Sequence, residues 1–95
     1  MISQQKAAKW LNRLLREVFP YNRTKELDKA SIKKVTSFLE SADADAMSAI
    51  SASLIGRNKQ LVVSMLSQVG SASVSTLTYA LSDPNPEIRV AALRL

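Results

Sequence analysis

The last twenty residues, TLTYALSDPNPEIRVAALRL, constrain the fold more than any other stretch, because a turn is written into their middle. Asp83-Pro84-Asn85-Pro86 joins an Asp-Pro turn start to an Asn that can cap a helix and a Pro suited to its first position. Asn85 offers an acceptor to an orphan backbone N–H, and Pro86 has none to leave unsatisfied. Beyond the turn, Glu87 lies near the positive end of the helix dipole, and Ile88, Ala91, Ala92 and Leu95 recur at i, i+3, i+4, i+7. Before it, Val74, Leu77 and Leu81 form the matching stripe of a short helix, with Tyr79 and Ala80 beside it. Stripes this narrow are buried only if the two helices fold back on each other, so the sequence predicts an antiparallel hairpin.

The rest of the chain reads as further helices. The first is expected over residues 3 or 4 to 18, closed by Phe19-Pro20, with Ala7, Trp10, Leu11, Leu14, Leu15 and Val18 as a broad apolar face that places Trp10 in the core. Tyr21-Asn22-Arg23-Thr24 is a connector. A second helix starts at Lys25 or Lys29, ends at Glu40 and turns Ile32, Val35, Phe38 and Leu39 inward. Asp43 is the expected cap of a third, in which Met47, Ile50 and Leu54 run toward Gly56 as the residue just past the helix end. Asn58 is the expected cap of a fourth, with Leu61, Val62, Met65, Leu66 and Val69 ending at Gly70, and Ser71 or Ser73 caps the fifth. There are only 2 Gly among 95 residues, and nothing alternates like a strand. One all-α domain of about six helices follows.

Leu81, Asp83, Pro84, Pro86, Ile88, Arg89, Ala91, Ala92 and Leu95 resemble the hairpin of a HEAT repeat, in particular the HEAT-like type of phycobilisome lyases. The resemblance implies antiparallel hairpins stacked as a short HEAT/armadillo-like right-handed solenoid. It also implies close helix packing at the Ala pair, and Asp83 and Arg89 in ladders along the stack. A shift of about 42 residues superposes Leu39, Asp43, Asp45 and Ala49 on Leu81, Asn85, Glu87 and Ala91, an echo of such a repeat. On this reading residues 1–40 are basic N-terminal helices and residues 41–95 are HEAT-like. Val90, Leu93 and Leu95 add apolar surface beyond the last stripe, whereas terminal repeats present polar outer faces. The expectation is therefore either the N-terminal part of a longer protein or an oligomeric contact through residues 86–95. HEAT-like proteins range from scaffolds to lyases and DNA glycosylases, so the resemblance speaks to fold more than to activity. One partner it implies is a phycobilisome component. Residues 27–69 and Thr78-Tyr79-Ala80-Leu81 are also similar to helix patterns of phycobiliproteins, but their bilin-attaching Cys is missing, so no covalent chromophore is expected.

Charge is the strongest functional signal. Residues 1–40 hold nine Lys/Arg against four Asp/Glu, while residues 41–95 hold four against four, so the whole surplus of +5 belongs to the first forty residues. Lys6, Lys9, Arg13 and Arg16 recur on the polar side of the first helix, Lys25, Lys29 and Lys33 line up at i, i+4, i+8, and Arg23 lies between. These eight are the candidate partner-binding residues, and a basic face of this kind attracts acidic protein, phosphate backbone or anionic membrane alike. An acidic protein is the first expectation, with the chain as a scaffold or interaction module. The alternative is a nucleic-acid-binding HEAT-like domain using Lys6, Lys9, Arg13, Arg16, Arg23, Lys29, Lys33 and Lys34, with Trp10 and Tyr21 for stacking. A membrane-surface anchor through residues 4–19 ranks third. Catalysis is not expected. With no Cys and no His there is neither a thiol nucleophile nor an imidazole base, and the pairs Asp43/Asp45 and Glu26/Asp28 sit where helix starts favour acids. No cofactor or metal is implied. Without an apolar signal core or a long apolar run, the expected location is cytoplasmic.

Overall fold

The structure is a computed structural model that describes the backbone of residues 2–95 and the side chains of residues 6–95. Helix α1 (Ile2–Val18) forms because apolar residues return every third or fourth position, and Ala7, Leu11, Leu14, Leu15 and Val18 are buried. Pro20 cannot continue it, and a 3-10 turn, Pro20–Asn22, follows the fully buried Phe19. Then come α2 (Lys29–Glu40), α3 (Ala44–Ser53), α4 (Lys59–Gln68), a second 3-10 turn (Gly70–Ser73), α5 (Val74–Leu81) and α6 (Pro86–Leu93). Among the described residues there are six α-helices and no strand, as the patterning predicts.

Three helix starts are fixed by side-chain caps. Asp28 accepts from the Ser31 N–H at 2.8 Å, Asp43 from the Ala46 N–H at 2.9 Å, and Asn85 from the Glu87 N–H at 2.9 Å. Asp28 settles the start of α2 at Lys29. The segment before it is held from a distance: Gln68 accepts the Leu27 N–H at 2.6 Å and donates to the Lys25 carbonyl at 2.9 Å, tying the connector to α4.

The packing is organised around α3, which lies against both α1 and α5, while α6 packs on α5. Both α3 and α5 turn small or slender groups toward the interior: Ala46, Ile50 and Ser51 from α3, Thr76 and Ala80 from α5. Small groups at these positions permit close packing of the helices. One continuous core results, with Leu11, Leu15, Phe19, Ile50, Leu54 and Val62 near its centre. Each large side chain buried there contributes about 1.5–3 kcal/mol relative to exposure. The Cα radius of gyration is 12.1 Å, that of a compact domain of this length.

Two expectations are overturned. Of the stripe Val74, Leu77 and Leu81, only Leu77 packs against the core: Val74 is 57% exposed and Leu81 is exposed, and the buried positions of α5 are Thr76 and Ala80, with Ser73 buried just before it. Nor is Trp10 in the core. It stands at the rim of the α1–α2 seam, 54% exposed, and lines hollows there with Phe38.

Several ends differ too. α3 stops at Ser53 and unwinds through i to i+3 bonds into Leu54, Ile55 and Gly56, so Gly56 does not take the left-handed conformation of a helix-terminating glycine. Gly70 does, at φ +57, where α4 gives way to the second 3-10 turn. Asn58 stands at the start of α4 but donates to Asn12 at 3.2 Å instead of capping. Neither Ser71 nor Ser73 caps α5: Ser73 is in the αR region and its hydroxyl donates to the Gly70 carbonyl at 2.8 Å. Asp83 and Arg89 serve the α5–α6 turn itself. The Asp83 carboxylate accepts the Asn85 N–H at 2.9 Å, and the Arg89 guanidinium donates to the carbonyls of Asp83 at 2.6 Å and Pro84 at 3.1 Å.

Candidate interaction surface

Lys6, Lys9, Arg13, Arg16, Arg23, Lys25, Lys29 and Lys33 are all exposed. Among the described residues the one ion pair joins Lys34 of α2 to Glu17 of α1 at 2.8 Å, so these eight keep their charges toward solvent. The hydrogen bond from Lys34 and then its charge hold the Glu17 carboxyl below its ordinary range, against an opposing effect of desolvation and with a lesser contribution from the charge of Arg13. Glu17 thereby clips α2 onto α1.

It is Lys34 that meets α1 through this clip, and at about 100° per residue Lys33 lies about 100° and Lys29 about 140° around α2 from it. The pair on α2 thus lies on a different side of that helix from the clip.

Between the two helices lies a seam. Trp10 and Phe38 line both of its hollows, one of about 240 Å³ that Lys6, Ala42 and Asp43 help to enclose, the other of about 250 Å³ bounded by Arg13, Glu17 and Lys34. The seam thus has an aromatic floor, cations on its α1 edge and three carboxylates, those of Glu17, Asp43 and Asp45, within its walls.

A second basic region was not legible as one. Arg23, on the connector after α1, faces Arg57 and Lys59 at the start of α4 across a cleft of about 760 Å³, with Asn22, Thr24, Asn58 and Gln60 completing polar walls that contain no acidic side chain. Arg57 and Lys59 belong to the half of the sequence whose charges balance, so counting along the chain hides them. The acidic residues of that half, Asp43, Asp45, Asp83 and Glu87, do not line the cleft. Next to this cleft Tyr21 is 92% exposed, with Tyr21 and Asn22 both in the left-handed region at φ 68 and φ 55.

Among the described residues no three Asp or Glu side chains gather as a metal-ligand set, and no helix is long and apolar enough to cross a membrane. The side chains of Gln4 and Gln5, which begin the stretch weighed as a membrane anchor, lie outside the described residues. The chain matches no protein-family model, no curated protein and no solved structure.

Proposed function

We propose that this chain is a non-catalytic interaction module whose basic N-terminal face holds an acidic protein partner along the α1–α2 seam. The observation that carries this reading is Trp10, exposed between Lys6 and Arg13 and lining the same seam as Phe38. A half-exposed indole with Lys6 and Arg13 beside it suits an acidic segment that brings one or two apolar side chains of its own, since such anchors dominate protein interfaces while the rim charges steer the approach. The carboxylates of Glu17, Asp43 and Asp45 point the same way. They repel a continuous phosphate backbone but tolerate a peptide whose charges are spaced. The short solenoid implied by the HEAT resemblance of residues 76–95 belongs to this reading as a proposal of its own, resting on that resemblance in the sequence.

Nucleic-acid binding is the second reading, favoured by one observation: the Arg23, Arg57 and Lys59 cleft lacks acidic groups and has Tyr21 beside it.

Trp10 is the sole tryptophan, so its fluorescence reports on the seam directly. Titration with an acidic peptide carrying leucines is expected to move its emission to shorter wavelength, with binding lost in Trp10→Ala and in Lys6→Glu/Arg13→Glu. Single-stranded DNA that binds unless Arg57 and Lys59 are reversed would move the assignment to the second reading. If capture from a native lysate recovers the same proteins with wild type and with Lys6, Lys9, Arg13 and Arg16 all reversed to Glu, the basic face is merely solvated and the reading fails.

A further inference from the structure

On the side of the molecule that carries α4 and α6 lies an apolar groove of about 570 Å³. Its walls include Ile55, Val63, Val90 and Leu95, with Lys59, Glu87 and Arg94 at the edges. Val90 is 47% exposed and Leu93, on the adjoining side of α6, is 72% exposed. This concentrates bare aliphatic surface on one short helix, while the polar residues that would ordinarily cover it are few.

The charges on α6 identify what fits. Glu87 and Arg94 are seven residues apart, hence on one line of the helix, with Val90 and Ala91 between them. The pattern is negative, apolar, positive, and its midpoint falls between Val90 and Ala91. Two such helices laid antiparallel about a two-fold axis through that midpoint place each Glu87 opposite the other copy's Arg94 and bring the valines together. A C2 contact requires a patch complementary to itself, and this one is. The rest of the molecule would resist self-association because of its surplus of +5, but that surplus lies in the first forty residues, whereas the groove's edge carries both signs.

We propose that the α4–α6 groove is the interface of a homodimer, in which α6 of a second copy of this chain packs antiparallel on α6 with reciprocal Glu87–Arg94 pairs and covers Leu93 at the groove's margin. The interface uses no residue of the α1–α2 seam, so it stands or falls separately from the acidic-partner reading.

Sedimentation equilibrium of wild type, Glu87→Arg, Arg94→Glu and Leu93→Asp, with circular dichroism to confirm folding, tests it. Wild type is expected to dimerise reversibly with concentration. Glu87→Arg and Arg94→Glu each bring like charges together and weaken their own homodimer by about tenfold or more. Mixed in equal amounts, the two variants restore association, because each supplies the sign the other lost. Leu93→Asp, at a position too exposed to matter for folding, abolishes association. A wild type that stays monomeric at every concentration overturns the proposal and leaves the groove to a different protein. Dimers that persist in folded Leu93→Asp, or variants that do not associate better mixed than alone, overturn it as well.

Discussion

Tyr21 holds a left-handed backbone conformation, φ 68 and ψ 17, while its ring projects into solvent. For an L-residue other than Gly or Asn that conformation costs about 1–2 kcal/mol, and an exposed ring returns no burial to offset it. Strain retained without a structural return is a mark of a displayed residue. Tyr21→Gly is therefore expected to leave stability unchanged or raise it by about 1 kcal/mol, after the extra unfolded-chain entropy of glycine is subtracted. The same variant should weaken any ligand that stacks beside the Arg23 cleft. Urea denaturation combined with a binding titration separates the two effects, and a clear loss of stability would show that the ring is structural. Ser51 and Thr76 pose the reverse case, since their hydroxyls are fully buried and find no hydrogen-bond partner among the described residues. Removing an unsatisfied buried hydroxyl while keeping its volume relieves a desolvation cost, so Thr76→Val should raise the urea midpoint at constant m-value, by about 1 kcal/mol in stability. A drop of similar size would reveal a hidden partner. Single residues were legible in the sequence where their chemistry is local: Asp43 and Asn85 cap the helices that follow them, as their types and positions foretell. Gln68 was not legible, because the backbone groups it satisfies lie 41 and 43 positions away along the chain.

Helices were easier to delimit than to orient. α1 shows its inner face in the sequence because five large or medium apolar residues converge on one arc, and only Trp10, at the edge of that arc, turns out to be exposed. In α5 the largest apolar residues are not the buried ones. Its neighbours α3 and α6 lie close, so Ser73, Thr76 and Ala80 face inward and Val74 and Leu81 face out, a reversal that hydrophobic periodicity cannot anticipate. Element boundaries also carry a pH dependence. The Asp28 carboxyl lies below its ordinary range because it accepts hydrogen bonds from Ser31, with Lys25 nearby, and Glu17 is held low by Lys34. A carboxyl whose folded value is depressed stabilises the fold above its unfolded value, and that contribution is lost as the pH falls through the folded one. The urea midpoint should thus be flat near neutrality and fall below about pH 4. Asp28→Asn keeps the cap, since an amide oxygen accepts equally well, but should flatten part of the acid limb. Asp43→Ala removes the cap of α3 altogether and is expected to cost about 1 kcal/mol at pH 7. An acid limb that is identical in Glu17→Gln, Asp28→Asn and wild type would mean that other carboxylates govern it.

At the scale of the molecule, two unlike surfaces occupy different helices: an aromatic seam edged with cations between α1 and α2, and an aliphatic groove with charges of both signs at its edges between α4 and α6. The division of charge between the first forty residues and the rest was visible in the sequence. The layering that turns it into separate surfaces was not, because α3 brings together segments far apart along the chain. The two surfaces should answer salt in opposite senses. Attraction between exposed cations and an acidic peptide is screened over roughly 8 Å at physiological ionic strength, so peptide affinity at the seam should fall steadily as salt is raised. Association through the groove rests on apolar burial between copies that each carry a net positive charge, so screening removes repulsion and dimerisation should hold or strengthen over the same range. Leu93→Asp should leave peptide affinity at Trp10 unchanged within about 0.5 kcal/mol, and Trp10→Ala should leave the dimer constant unchanged, because the two sites share no side chain. Fluorescence titration and sedimentation across one salt series measure both quantities on the same samples. A joint fall of peptide affinity and dimerisation with salt, or loss of both in either variant, would mean that one surface performs both tasks.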